Sequence, residues 1–269
     1  MKKAIPLLTI LLFIISSCFP ALAQISLSPN ASSFPGIPVL IYHEIVSDSS
    51  KKPGNEVIAL DRFEKEMRFL KEKGYHDLSF KEFVQILQGK KSAPDKAVVI
   101  TIDDGFKNAL QAVPILQRYN LKASFWIIAG DKGIGGQYMD WKDIEALDHN
   151  PLVEVESHSF SHPCDMVSWI NGLTEGKGES DIRFELQESK RLLEQHLGHP
   201  IRYFAWPCGR YNERIIQLAR EAGYEALLTA WNGLNVPGQD VMQIHRTIVS
   251  GSNNLEVFSA QLKDGLHRP

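Results

Sequence analysis

Cysteine is nearly absent from this chain, with three in 269 residues. That is too few to staple a fold of this size, so the core must be built from hydrophobic side chains. Long basic runs are missing as well, and 29 Lys and Arg against 32 Asp and Glu leave a formal charge of −3 and a pI near 6.3. Phosphate backbones are gripped by clustered cations, so nucleic acid is excluded as a partner and an uncharged or cationic polymer fits better. No internal repeat of fixed period is visible. What remains is 43% hydrophobic and 23% charged, a composition for one large α/β domain with little room for a second.

Nor is there an apolar run long enough to cross a bilayer. The run at residues 4–15, behind Lys2 and Lys3, is too short for a stable span and reads as an export signal. Two processing sites compete. Ala21-Leu22-Ala23 before Gln24 is the closer match to the small-residue pattern and makes residues 1–23 the signal. Ile15-Ser16-Ser17-Cys18 resembles the lipobox of bacterial lipoproteins and would leave a lipid on Cys18, the one route seen here to membrane association. With the signal removed at Ala23, only Cys164 and Cys208 remain; outside the cytoplasm they can form one bridge, and the sequence leaves that pairing open.

Residues 24–36, rich in Ser, Pro and Asn without a sustained period, read as a leader, and the domain is expected over residues 37–269. Within it, apolar strand patterns at 38–43, 97–102, 123–128, 152–155, 202–206, 225–229 and 243–249 alternate with helical ones. Phe63, Met67 and Leu70 mark one apolar helix face, and Phe184, Leu186, Leu192, Leu193 and Leu197 another. Gly74, Gly198 and Gly223 follow three helical patterns where a left-handed residue is wanted. Alternation of this kind predicts parallel strands with helices outside, as a barrel or an open sheet. Residues 171–180, rich in Gly and Glu, are expected to form a surface loop over one end of that sheet.

Residues fit for chemistry cluster at strand ends. Asp103 and Asp104 follow the β-rich AVVITI and precede Gly105, and adjacent carboxylates there are costly unless a cation compensates one. The plain alternative is that they cap a helix starting at Phe106. His158 and His162 follow LVEV in the string SHSFSH, and one helical turn at that spacing would put both imidazoles on one face. One carboxylate and two imidazoles make three protein ligands, leaving open positions for water and substrate. The C-terminal ends of strands in a parallel sheet share a face, so the two clusters can meet.

TIDDG at 101–105, HSFSH at 158–162 and FAWPCG at 204–209 resemble, in order and separation, the successive motifs of the polysaccharide deacetylase family, the NodB-like carbohydrate esterases of family 4. The similarity covers roughly residues 37–249, and the joint match is specific where each motif alone is not. The resemblance implies an α/β fold, a distorted (β/α) barrel of about seven strands in a single domain. It implies a divalent metal ion, zinc first, held by Asp104, His158 and His162, with Asp103 as the catalytic base and the backbone N–H of Cys208 as oxyanion donor. Such members often carry Tyr at the Cys208 position; because the role uses the backbone, it should survive the change. The plain reading of Cys208 is a small packed residue.

The general acid of better known members lies near the C-terminus in a Leu-x-His motif, whereas here the counterpart is N-terminal, His43 in VLIYHEI. That permuted order resembles the branch acting on poly-N-acetylglucosamine exopolysaccharide, which makes an N-acetylated polysaccharide the expected substrate. His245 in IHRTIV is the competing acid, and Arg246 or Arg202 is the candidate cation for holding Asp103 ionised. The alternatives are a deacetylase of peptidoglycan or chitin oligomers, and a module that kept the fold and only binds glycans.

Overall fold

The computed structural model describes Met1 and residues 36–47, 51–131 and 133–268. The expected export signal beyond Met1, leader residues 24–35 and Cys18 lie outside the described residues. All seven expected strands form: β1 (Val39–Tyr42), β2 (Ala97–Ile102), β3 (Ala123–Ile127), β4 (Val153–Ser157), β5 (Tyr203–Ala205), β6 (Ala226–Leu228) and β7 (Thr247–Ile248). They pair in the order β7-β1-β2-β3-β4-β5-β6, every pairing parallel. Every residue of β1, β2 and β3 is buried, the signature of strands covered on both faces.

The two faces carry two cores. Leu40, Tyr42, Val98, Ile100, Ile102, Phe125, Ile127, Phe204 and Leu227 pack outward against helices. Val39, Val99, Trp126, Tyr203, Ala205 and Leu228 alternate with them and join Phe80, Phe83 and Leu87 in the second core. The sheet closes on itself through its last segment. Ile244 bridges Leu228 of β6, and three residues later Thr247 and Ile248 pair with Leu40 and Ile41 of β1. This is the expected distorted barrel. Part of the distortion lies between β4 and β5, which share only the Ser157↔Phe204 pair. There the buried Glu156 carboxylate accepts from Arg202 N and Tyr203 N, at 3.1 and 2.9 Å, where ladder bonds would otherwise run.

The helices are α1 (Leu60–Glu72), α2 (Phe80–Leu87), α3 (Ala112–Tyr119), α4 (Trp141–Asp148), α5 (Met166–Ile170), α6 (Glu179–Leu197), α7 (Glu213–Glu221) and α8 (Leu255–Asp264). Gly74, Gly198 and Gly223 have φ of 70°, 74° and 83°, the left-handed turns expected after α1, α6 and α7. Two expectations need correction. Phe184 does not belong to the buried face of α6; it is 51% exposed, its ring against Phe160, and Ile182, Glu185, Leu186, Ser189 and Leu193 are buried instead. The 171–180 loop is shorter than expected, because Glu179 and Ser180 already belong to α6 and α5 precedes it. A small parallel pair, residues 44–46 with 57–59, stands outside the barrel sheet and was not foreseen.

Candidate active site

The C-terminal ends of the barrel strands open into a pocket of about 250 Å³ lined by His43, Asp103, Asp104, His158, His162, Cys208 and Arg246. Every residue singled out for chemistry except His245 and Arg202 therefore reaches one place. A larger cleft, about 540 Å³, opens by Lys122, Leu152 and Glu154, but Lys122 is paired with Glu82 at 2.7 Å and Glu154 accepts from Phe80 N and Lys81 N.

Asp103 leaves β2 with its N–H donated to Tyr42 O at 2.8 Å, and the next two residues, Asp104 and Gly105, have φ of 71° and 76°. This left-handed turn sends the two carboxylates to different neighbours. Asp103 Oδ1 accepts from Arg246 at 2.8 Å, whereas Asp104 Oδ1 lies 3.3 Å from His158 Nε2 and 3.4 Å from His162 Nε2. Neither acid caps a helix: a 3₁₀ turn, Lys107–Gln111, follows with Phe106 at its start and no side-chain cap.

The two histidines meet, but not on a helix. Residues 158–162 form an irregular turn in which Ser159 and His162 have φ of 72° and 58°. The Ser159 hydroxyl accepts from His162 N at 2.9 Å, and the ring centroids of the two histidines end 4.8 Å apart. Helical spacing gave the right pairing for the wrong local reason. Of the six non-glycine residues with positive φ among those described, Asp104, Ser159, His162 and Cys208 all belong to this site. Each such conformation costs on the order of 1 kcal/mol and persists only where surrounding contacts over-determine it.

Asp104, His158 and His162 fit a metal ion. Their ligand atoms lie within 4.8 Å of one another, and Asp104 Oδ1 is buried without a hydrogen-bond partner. His158 Nδ1 is 2.9 Å from Ala205 O, so that nitrogen carries the hydrogen and Nε2 is left free toward the pocket. Electrostatics move the two acids the same way and divide the two bases. Burial pushes the Asp103 carboxyl up, but the Arg246 and His158 charges outweigh it and hold it below the ordinary range. Burial likewise works against Asp104, and His158 beside it prevails, so that its carboxyl too lies well below normal. Burial disfavours charge on His158, yet the two aspartates raise it above the ordinary value; His162, half-buried and beside His158, is pushed down to about 4.

Arg246 is the cation beside Asp103. It is 1% exposed, and its Nε donates to Thr229 O at 2.7 Å. Arg202 instead pairs with Glu225, away from the pocket. His43 lines the pocket with Nδ1 enclosed and unpartnered, while the His245 ring lies where a Cβ on Gly233 would strike it. Cys208 is not a packed small residue: it is exposed, left-handed at φ 54°, and disulfide-bonded to Cys164 with Cα atoms 5.3 Å apart. The bridge ties the turn after His162 to the WPCG turn. Sequence reasoning missed Asn55 and Glu56, which reach the pocket from the excursion before α1, and Thr101, whose hydroxyl accepts from Arg246 at 3.3 Å. It also missed Glu185, a charged residue on a helix that pattern alone assigns to solvent.

Comparison with known proteins places these features. Residues 90–227 match the family described as polysaccharide deacetylase. YxkH of Bacillus subtilis (strain 168) is 29% identical over 228 residues, 84% of this chain and 76% of YxkH. The poly-beta-1,6-N-acetyl-D-glucosamine N-deacetylase of Staphylococcus aureus (strain MSSA476) is 25% identical over 229 residues, 81% of this chain and 76% of that enzyme. Among solved structures, the deacetylase PplD of Streptococcus pyogenes superposes with a TM-score of 0.74 at 23% identity, over 86% of this chain and 99% of PplD.

Proposed function

The chain belongs to the polysaccharide deacetylase family, and we propose from that premise that it is a metal-dependent N-deacetylase acting on poly-N-acetylglucosamine. One observation carries the reading: the pocket joins a three-ligand group to a separate, arginine-held carboxylate and a histidine, the parts that amide hydrolysis needs. Asp104, His158 and His162 would hold the ion; two imidazoles and one carboxylate with open positions suit a catalytic divalent metal, and zinc is the one proposed. When bound, it supplies Lewis acidity toward the acetyl carbonyl and the attacking water.

The chain's own groups do the rest. Asp103, kept ionised by Arg246 on Oδ1 and with Oδ2 3.8 Å from His158 Nε2, accepts the proton of the attacking water. The Cys208 N–H donates to the acetyl oxygen as negative charge gathers there. His43 gives a proton to the amide nitrogen, which then leaves as the amine while acetate is released. The S. aureus relative supports the choice of polymer, as does the N-terminal placement of His43. Export is part of the same proposal, supported by the apolar run behind Lys2 and Lys3 and by a disulfide that a reducing cytoplasm would not sustain.

The test is acetate release from a panel of acetylated glycans, with and without chelator. Release from poly-N-acetylglucosamine that chelator abolishes and zinc restores is expected. Full activity in excess chelator with no metal retained sinks the metal reading, and release only from peptidoglycan or chitin oligomers moves the substrate.

A further inference from the structure

Glu185 belongs to the metal centre without touching it. It projects from α6, is 5% exposed, and spends its carboxylate on the two middle residues of the turn that carries both histidines. One oxygen accepts from Phe160 N at 3.0 Å and Ser161 N at 2.8 Å, and the other accepts from the Ser161 hydroxyl at 2.5 Å. The carbonyl side of the same turn is pinned from the segment that follows β3. Ala129 N donates to Ser159 O at 3.0 Å and Gly130 N to Phe160 O at 2.8 Å. A side chain at Gly130 would lie 2.4 Å from Phe160 O, so the strand end can come this close only because residue 130 is glycine. The turn is thus held by its carbonyls on one side and its amides on the other, and α6 supplies the amide half through this single carboxylate.

We infer that Glu185 is a positioning residue for the ligand pair His158 and His162, through its grip on Phe160 and Ser161. The inference rests on the reading of Asp104, His158 and His162 as metal ligands. Ser159 and His162 are left-handed without being glycine, a conformation that relaxes unless neighbours enforce it. With the carboxylate removed, Phe160 N and Ser161 N lose their common acceptor and water replaces it, so the turn samples states in which His162 no longer faces Asp104. Partners that orient ligands from behind in this way are worth on the order of 10–100-fold in metal affinity.

The experiment compares zinc dissociation constants, measured by competition with a chromophoric chelator, and thermal unfolding of the metal-free proteins. Glu185→Ala is expected to bind zinc on the order of 10-fold or more weakly. Leu193→Ala, a core truncation on the same helix, is expected to lower the melting temperature and leave zinc affinity within about twofold. Two further variants keep the test decisive should the alanine protein not fold. Glu185→Gln retains an oxygen for both amides and can donate its NH₂ to the Ser161 hydroxyl, so it should bind zinc nearly as wild type does. Glu185→Asp keeps the charge but is one methylene short of the turn, so it should bind more weakly than Gln. Wild-type affinity in Glu185→Ala, equal losses in Leu193→Ala, or an Asp variant that outperforms Gln overturns the inference while the metal site stands. A wild-type protein that binds no zinc instead refutes the reading of the site and takes this inference with it.

Discussion

Replacing Arg246 by Met should unfold the protein more easily than any exposed arginine could, and replacing Asp103 at the same time should restore most of the loss. Both residues are essentially closed to solvent, at 1% and 2% exposure, and Arg246 also bonds Thr229 O and the Thr101 hydroxyl. Arg246→Met takes from Asp103 the one cation it is hydrogen-bonded to and leaves a buried carboxylate with only His158 Nε2, 3.8 Å away, to offset it, which costs up to about 3–5 kcal/mol. For a chain of this size that lowers the melting temperature by roughly 6–20 °C. Asp103→Asn keeps an acceptor for the guanidinium, so its cost is that of a weakened charged hydrogen bond, about 2–3 kcal/mol. In the double variant neither charge is stranded and the chief remaining defect is Thr229 O without its donor, about 1–2 kcal/mol. The two single losses sum to roughly 5–8 kcal/mol, so the cycle should show a coupling of about 3 kcal/mol or more. Denaturant unfolding at pH 7 in excess chelator, which removes any linkage to metal, measures it. Additivity of the two substitutions within about 0.5 kcal/mol would refute the idea that these charges are spent on one another.

Asp103→Asn should retain zinc and lose turnover by about 100-fold or more, since it removes a proton acceptor and not a ligand, whereas Asp104→Ala should lose both; metal content and acetate release on the two variants check it, and a steep fall in zinc affinity for Asp103→Asn would exchange the roles. His43→Ala should cost about 100-fold or more on N-acetyl substrates yet keep much of the activity on an aryl acetate, because a phenolate leaves without a proton and an amine does not. His245→Ala should affect both substrates only mildly, and equal losses in His43→Ala would move the acid elsewhere. Away from the pocket, burial raises Glu66 from 4.5 to about 7 against the pull of Arg62 and Tyr42. Between those values the folded state binds a proton that the unfolded state has lost, so stability falls as pH rises through this window, by roughly 3 kcal/mol for this group. Glu154 and Glu156 are also raised and add to the wild-type slope, so the check is the difference in unfolding free energy between wild type and Glu66→Gln from pH 4.5 to 7; a flat difference would contradict it.

The barrel was legible because its strands are buried on both faces: AVVITI and ASFWI leave no other use for six and five buried residues in a row. The pocket was legible for a related reason. Carboxylates and imidazoles directly after such runs must lie at the C-terminal end of a parallel sheet, and Asp103, Asp104 and His158 do. Local turn geometry was not legible. The alternation of histidine and serine in SHSFSH fits a helical turn as well as it fits the left-handed bend that forms, and only the contacts from Glu185 and Gly130 distinguish them. Phe184 was placed on the buried face and Glu185 was passed over, since hydrophobicity assigns faces by residue type and cannot see that a turn 24 positions upstream needs an acceptor. The disulfide was open for the same reason, as two cysteines 44 residues apart meet only through the tertiary fold.

Barrel closure also joins distant parts of the chain at the pocket. Arg246 rides on the segment that joins β6 to β1, and its partner Asp103 lies 143 residues earlier. Contacts at such separation bring their reward only after the intervening loop entropy has been met, so they arise late in folding. The three metal-binding candidates, by contrast, all precede residue 163 in the chain. The turn that brings two of them together nonetheless leans on later residues, Glu185 against Phe160 and Ser161 and Ala205 O against His158 Nδ1. A molecule whose last strand has not paired with β1 therefore holds Asp103 without the arginine that bonds it.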